Sequence, residues 1–269
     1  MKRNLLLIIA LFVATSMSAQ FYAGLGVGYA LGASKRVNGT EVSGTVTTNI
    51  YGSYGQGFSP NLKLGFMFND NMGIELGVSY LFGASQTKTK TEYILEEAKS
   101  DGLRLAPQLV YKLDNGFYGR FGMIIPVLGK TVITYSDDHM MVAPNTFVKK
   151  ETEMETKGSF SIGFIGAIGY GFALNDNMTI FGEVEYIGLS IKSGSATFTK
   201  YDVAGKDQLA NMDTHQKEYE FVDEIDSSKD NLIDPNTFKP KNPDTPWLVL
   251  KQKAPFSSLG FNIGITMTF

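Results

Sequence analysis

The stretch that decides the fold is the end of the chain, Leu259-Gly-Phe-Asn-Ile-Gly-Ile-Thr-Met-Thr-Phe269. Large apolar residues alternate with small or polar ones, and a period of two residues is that of a β-strand. In a soluble sandwich the second face of such a strand is normally charged and wet. Here it carries glycine, asparagine and threonine. The pattern therefore favours the wall of a narrow barrel, with an apolar outside and a small, polar inside.

The same alternation recurs in seven earlier blocks. They span 21–32, 58–68, 72–83, 102–113, 117–128, 158–174 and 178–191. With the closing block 255–269 they predict an all-β fold, an eight-stranded antiparallel transmembrane β-barrel of up-and-down topology. Pro107 and Pro126 fall inside blocks and lack a backbone donor, so we expect a bulge or an irregularity at each.

The connections between the blocks alternate strictly between short and long. The short ones are Asn69-Asp-Asn71, Asp114-Asn-Gly116 and Asn175-Asp-Asn177, residue types that tolerate the positive φ of tight hairpins. The long ones are 34–57, 84–101, 129–157 and 192–254. Outer-membrane barrels have short periplasmic turns and long extracellular loops, so we expect the long connections on the cell surface. Residues 65–80 also match residues 171–186 at nine of sixteen positions, which suggests one hairpin design used twice.

The N-terminal segment has the pattern of a secretory signal peptide. Lys2 and Arg3 precede an apolar stretch of ten residues, 5–14, and small residues follow it. A helix needs about 20 apolar residues to span a bilayer, so this stretch is too short for an anchor. We predict that residues 1–19 are a cleaved signal peptide and that residues 20–269 form the exported barrel.

The composition excludes several classes of protein. Charged residues are 19% of the chain and aromatic residues 12%, which excludes a disordered chain and a coiled coil. The absence of cysteine excludes a disulfide framework, a thiolate zinc site and a cysteine nucleophile. The net charge of −3 becomes −5 when Lys2 and Arg3 leave with the signal peptide, so no nucleic-acid partner is expected.

The eight alternating blocks, the Asn/Asp turns and the terminal Phe269 resemble the small outer-membrane β-barrel family of OmpA-, OmpX- and OprF-type transmembrane domains. The Ser-Ala-Gln at the predicted cleavage site also resembles exported porin-family proteins of the Bacteroidota. The resemblance implies a place in the bacterial outer membrane, in contact with its lipid and lipopolysaccharide. It also implies that the barrel-assembly machinery reads the closing strand, with Phe269, Met267 and Ile265 as the assembly signal.

Seven charged residues lie on the inward rows of the blocks. They are Lys63, Glu75, Arg104, Lys112, Arg120, Glu183 and Glu185. A lysine or arginine facing lipid at the midplane costs roughly 2–4 kcal/mol, so the alternation places these charges in the lumen. The interior of an eight-stranded barrel is about wide enough for side chains to fill. We expect Lys63, Glu75, Arg120 and Glu183 to share the middle layer of a neutralised plug; a gated ion path or a substrate site is the alternative.

Candidate catalytic groups are few. Glu183 and Glu185 both point inward, but no histidine lies near them in the sequence. Asp137-Asp-His139 could form an acid–base group or a weak metal site at the rim, whereas a solvated loop tip is the simpler interpretation. His215 lies in the longest connection, and no Gly-x-Ser-x-Gly, His-Glu-x-x-His or phosphate-loop motif occurs. We therefore expect no catalytic residues, no metal and no cofactor; a hydrolase at the barrel rim is the least favoured alternative.

The connection 192–254 is far longer than a hairpin needs, and such loops are usually functional or disordered. Its acidic part, 213–234, holds eight acidic residues and two lysines, but lacks the glycine and the terminal glutamate of a calcium loop. A surface that binds a protein partner, disorder and a calcium site are the alternatives. Residues 197–201 and 247–251 alternate and are expected to extend the last two strands; a ten-stranded barrel is the alternative fold. Three functions compete: a closed barrel with a structural or interaction role, a narrow gated channel, and the rim hydrolase.

Overall fold

A computed structural model of the protein describes residues 20–226 and 242–269, so the predicted signal peptide lies outside the described residues. Eight strands form a closed antiparallel ring. In chain order they are β1 Gln20–Gly32, β2 Gly57–Met67, β3 Met72–Gly83, β4 Ile94–Lys112, β5 Phe117–Ala143, β6 Gly163–Ala173, β7 Met178–Gly188 and β8 Ser258–Thr268. Each strand pairs with its neighbours in this order, and β8 pairs with β1 along eleven residues. The predicted fold class is confirmed, and the ring has eight strands rather than ten.

Closure has a physical reason, since hydrocarbon offers no partner to the backbone groups of a free sheet edge. The outward rows are apolar and exposed, as in Phe121 (64% exposed) and Ile168 (72%). Ile265, Met267 and Phe269, the residues predicted to be the assembly signal, belong to this outward face. The backbone N–H of Phe269 donates to the carbonyl of Phe21 at 2.9 Å, which fixes the closing strand against β1. The described residues include no helix that is both long and apolar enough to cross a bilayer.

Three tight turns connect the strands at one end of the barrel, called here the turn end; the opposite end is the loop end. Asn69 Oδ1 accepts hydrogen bonds from the backbone N–H groups two and three residues later, at 3.0 and 2.8 Å. Asn175 Oδ1 makes the same two bonds at the same distances. The two matching sequence segments thus form one turn design twice. In the third turn Gly116 has φ +91°, a conformation that glycine adopts without strain.

The two prolines differ in their effect on the wall. Opposite Pro126 the pairing of β4 with β5 shifts by one residue between Leu103 and Arg104, so the expected bulge is confirmed. At Pro107 the register between β4 and β5 does not change. The pairs Leu105–Ile125 and Gln108–Gly122 are in the same register, and only residues 106 and 107 of β4 have no pairing partner on β5. One missing donor interrupts a ladder, whereas a shift of register also needs an extra residue in one strand.

Beyond the loop end the connections add further strands to the sheet of the barrel. Strands β4 and β5 extend well past the predicted blocks into the connections 84–101 and 129–157. The further strands are Val37–Ser43, Val46–Tyr51, Gln86–Lys90, Thr146–Gly158, Ser190–Val203, Lys206–Asp207, Glu218–Val222, Trp247–Leu250 and Lys253–Pro255. A short 3-10 turn, Leu209–Asn211, and a one-turn helix, Thr214–Lys217, complete the described elements. We call this assembly the loop sheet.

Two boundary predictions were wrong at the loop end. The block 158–174 begins as a strand only at Gly163, because β5 leaves β6 there and pairs instead with Thr146–Gly158. Residues 247–250 do not extend β8; they pair in parallel with Glu218–Val222. One edge of Glu218–Val222 pairs with Ser190–Val203, so residues 247–250 pair with its other edge. Ser190–Val203 does continue from β7 as expected.

Candidate functional site in the barrel lumen

A compact cluster of two cations and two carboxylates lies in the middle of the lumen. Arg120 on β5 is 5% exposed, and its Nη1 donates to Glu75 Oε1 at 2.5 Å. Its Nη2 donates to Glu183 on β7. Lys63 Nζ on β2 donates to the same Glu183 oxygen, Oε1, at 2.9 Å. The formal charges of these four residues cancel, so the cluster places no net charge in the confined interior.

Neutral side chains complete the shell around the two carboxylates. Tyr22 Oη on β1 donates to Glu75 Oε2 at 2.8 Å, and Tyr118 Oη on β5 donates to Glu183 Oε2 at 2.7 Å. Asn262 Nδ2 on β8 donates to Glu183 Oε1 at 3.1 Å. With these bonds the cluster joins β1, β2, β3, β5, β7 and β8. Buried charges are tolerated when they are paired and hydrogen-bonded, which both carboxylates are. We call this set of residues the central cluster.

The other three predicted lumenal charges lie apart from the centre. Glu185 is at the margin, with its Oε2 3.8 Å from Arg120 Nη2. Lys112 lies near the turn end, where its Nζ stands 4.5 Å from the centre of the Tyr22 ring. Arg104 lies toward the loop end and donates from Nη2 to Ser59 Oγ at 2.9 Å. The structure thus brings together four of the seven residues, flanked by one carboxylate and two separated cations.

An apolar layer fills the lumen between the central cluster and the loop sheet. Its buried members are Ala106, Ile124, Ile165, Ile187 and Leu189, with Ile191 and Phe256 packed against them. Above this layer two connections cross the opening: Ser53 Oγ donates to the Ser257 carbonyl at 2.6 Å, and the Tyr54 ring lies 5.6 Å from that of Phe256. The lumen is therefore filled by a polar layer and an apolar layer in series.

The apolar layer, and the tyrosines and the asparagine that donate to Glu75 and Glu183, were not predicted from the sequence. Each of these residues sits on the inward row of its strand, so the alternation itself contained the signal. Ile124 and Ile165 were overlooked because an isoleucine in a membrane strand is readily assigned to the lipid side. Their burial, 1% and 4% exposed, shows that row position outweighs hydrophobicity in deciding the face.

The histidines have aromatic surroundings. The His139 ring stacks between Tyr93 and Phe147, with centroid distances of 4.4 and 4.0 Å. His215 is 3% exposed and lies against Trp247 at 4.5 Å. Among residues 20–226 and 242–269, no group of three or more metal-binding side chains comes together. Of the acidic residues weighed for calcium, Asp230 and Asp234 lie outside the described residues.

Glu151 forms salt bridges with lysines on two strands of the loop sheet. Its carboxylate accepts from Lys149 at 2.7 Å along the same strand and from Lys200 at 2.5 Å on the next. Hydrogen bonds from the two ammonium groups lower the pKa of Glu151 from 4.5 to about 2. Asp223 is held in the same way by Lys251, at 2.7 Å, and its pKa is also lowered. These pairs are exposed, so they fix the geometry of the sheet more than they stabilise it.

A closed ring of eight membrane-facing strands around a filled lumen defines a class, that of the small outer-membrane barrels. The chain matches the family model of the outer membrane protein beta-barrel domain over residues 5–216, most of its length, and it belongs to that family. Its place in the outer membrane follows from this membership. No curated protein sequence matches the chain.

Three solved structures similar to the chain are outer-membrane or bacterial surface proteins. The outer membrane protein OprG of Pseudomonas aeruginosa is 14% identical, with a TM-score of 0.44 over 94% of this chain and 96% of that one. Neisserial surface protein A is 11% identical, with a TM-score of 0.38 over 94% and 99%. Ail, the attachment invasion locus protein of Yersinia pestis, is 11% identical, with a TM-score of 0.33 over 93% and 97%.

Proposed function

We propose that this outer-membrane barrel is closed to diffusion along its axis and that it acts through the loop sheet at the cell surface, as a contact protein or as a subunit of an envelope complex. The central cluster is the observation that supports a barrel closed along its axis. Arg120 reaches from β5 to carboxylates on β3 and β7, and so bridges the lumen at mid-height.

The arrangement favours a plug over a pore for two reasons. A conducting path needs hydrated charges, but Lys63, Glu75, Arg120 and Glu183 are each 4–5% exposed and are engaged with one another. The apolar layer above them is a second barrier, because a narrow hydrophobic constriction excludes water and ions. A gated channel would have to break both layers in order to open.

The loop sheet offers the surface for an interaction. From Leu128 to Ala143 strand β5 runs about 50 Å along its own length, at roughly 3.3 Å per residue. At its far end Met141 is 64% exposed and Val142 50%, next to the partly exposed ring of Phe147. These residues lie well beyond the lipid-facing belt, and clustered exposed apolar residues mark interaction sites. In the described parts of the connection, 192–226 and 242–254, the strands Glu218–Val222 and Trp247–Leu250 join the same sheet, and the exposed Asp223, Glu224 and Asp226 supply acidic groups for a protein partner.

Planar-bilayer recording of the purified barrel tests the plug. We expect no steady conductance steps at neutral pH, because the central cluster and the apolar layer both fill the cross-section. Regular steps that scale with salt concentration would contradict the closed barrel and favour the gated channel.

Co-purification tests the interaction role. The wild-type barrel and a Met141→Ser/Val142→Ser variant are cross-linked on intact cells and isolated under identical conditions. We expect a defined cross-linked protein with the wild type and its loss with the variant, at equal amounts of folded barrel. Recovery of the same proteins with the wild type and with the variant would argue against Met141 and Val142 as the contact surface.

A further inference from the structure

The barrel wall has a gap between β5 and β6 near the loop end. Strand β6 pairs with β5 as far as Ile124, and the returning loop strand resumes the pairing only at Thr131. Within the described chain, residues 125–130 of β5 therefore have no pairing partner on this side. Residues 159–162, which would fill the position, form no strand and hydrogen-bond instead to Lys192, through Ser159 and Ser161. An interruption at the edge of the lipid belt is costly unless something occupies it.

A cavity of about 510 Å³ lies behind the gap, within the range of roughly 300–1,000 Å³ that is typical of ligand sites. At its outer mouth Leu128 and Phe160 are 70% and 76% exposed, like the rest of the lipid-facing belt. Its inner wall includes the buried Leu81 and Leu189 and the ring of Phe256. The cavity thus runs from the bilayer side of the wall to the side of the apolar layer, above the central cluster.

Arg104 lines this cavity and is 6% exposed. Its one hydrogen bond goes to the neutral Ser59 hydroxyl, and its Nε has no partner. Arg120 also has an unpartnered Nε, but it contacts two carboxylates, whereas Arg104 forms no salt bridge with any residue that the structure describes. A buried, unpaired cation is strongly unfavourable. The carboxylate that acts on Arg104 electrostatically is Glu185, which also lies 3.8 Å from Arg120 and is therefore shared between the two arginines. An ionisable group at membrane depth that makes no salt bridge and has an unused N–H group is a candidate ligand site.

The mouth of the cavity carries further positive charge. Lys157 and Lys192 line it, are exposed, and form no salt bridge with any described residue. A third lysine of the lining, Lys130, is neutralised by Glu155. The lining also includes one carboxylate, Asp101, so its charged side chains are four cations and two carboxylates once Glu155, the partner of Lys130, is counted. Cations around an opening raise the local concentration of anions, so the cavity favours an anionic ligand.

We propose that the cavity binds a single-chain amphiphile with a carboxylate head. The carboxylate pairs with the guanidinium of Arg104, whose planar fork matches it with two parallel hydrogen bonds. The alkyl chain lies against Leu81, Leu189 and Phe256 and leaves through the gap past Phe160 toward the hydrocarbon. Because the ligand enters from the side of the barrel, this site operates while the lumen stays closed along its axis.

Photolabelling locates the site. The barrel is placed in phosphatidylcholine vesicles with a diazirine derivative of laurate, and the labelled peptides are identified by mass spectrometry. We expect the label on residues 125–130 and 159–162, with displacement by unlabelled laurate and none by an alkyl glucoside of the same chain length. Label spread evenly over the outward rows, or equal displacement by the glucoside, would overturn the proposal. Displacement by phosphatidic acid in the vesicle as effective as that by laurate would also overturn the single-chain assignment.

Variants separate a ligand-binding arginine from a structural one. Arg104→Gln should weaken laurate binding at least tenfold, with a smaller loss for Arg104→Lys, while its unfolding midpoint stays close to that of the wild type because the substitution breaks no salt bridge and only one hydrogen bond, to the neutral Ser59 hydroxyl. Ala254→Trp, which fills the cavity without touching Arg104, should also weaken binding. Lys112→Gln, a lumenal cation at the turn end, is the matched control and should bind as the wild type does. Unchanged binding in Arg104→Gln, or an equal loss in Lys112→Gln, would refute the assignment.

Discussion

Replacing Arg120 with alanine removes the one side chain that contacts both carboxylates of the central cluster. Two charge-assisted hydrogen bonds are lost, one to Glu75 and one to Glu183, and each such bond contributes about 1.5–3 kcal/mol. Only Lys63 then remains to balance two buried carboxylates. Breaking a buried ion pair by removing one partner costs about 3–5 kcal/mol. We expect Arg120→Ala to lower the free energy of unfolding by an amount in that range.

Urea unfolding of the barrel in lipid vesicles measures this change, with the heat-dependent gel shift of folded barrels as a second readout. Lys130→Ala is the matched control, since Lys130 belongs to an exposed ion pair, and such pairs contribute about 0–1 kcal/mol. The Glu75→Gln/Arg120→Gln double variant should lose less than the sum of its single variants, because the two residues interact directly. A loss no larger for Arg120→Ala than for Lys130→Ala would refute the reasoning.

Three further outcomes follow from the same structure. Protease added to intact cells should cut within 192–254 and spare the turns 69–71 and 175–177; cleavage at these turns would invert the topology. Deletion of Phe269 should reduce the amount of folded barrel in the outer membrane, because the residue closes β8 against β1; normal yield on a heat-shift gel would count against it. Glu151 should titrate with a midpoint near pH 2 by NMR. Because its pKa is lowered from 4.5, its contribution to the loop sheet is present above pH 4.5 and is lost as the pH falls toward 2, and a midpoint above 4 would show that the lysine contacts are absent in solution.

The membrane part of the fold was predictable because lipid enforces a strict alternation. Charged residues such as Arg120 and Glu183 cannot face hydrocarbon, so row position placed them in the lumen without any structure. The loop sheet was not predictable in the same way. Strand Thr146–Gly158 contains Lys-Lys-Glu-Thr-Glu, and its one buried side chain is a threonine, Thr152, so no apolar row marks it as a strand.

Which strands pair with one another could not be predicted from the sequence either. Phe160 and Ile162 continue the apolar row of β6, yet residues 159–162 do not pair with β5, which continues and pairs with another strand. Alternation reports which way a side chain faces and not which strand lies beside it. The gap beside the buried Arg104 is therefore visible only in the folded chain, whereas the alternation did contain the signal for the apolar layer.

The central claim, that the lumen is a closed plug, is tested most directly by recording the conductance of folded Arg120→Ala in planar bilayers beside its unfolding curve. The account predicts a destabilised barrel that remains silent, because the apolar layer of Ile124, Ile165, Ile187 and Leu189 still fills the cross-section. A barrel of unchanged stability that conducts steadily would contradict it, since Arg120 would then be a gate rather than part of a structural plug.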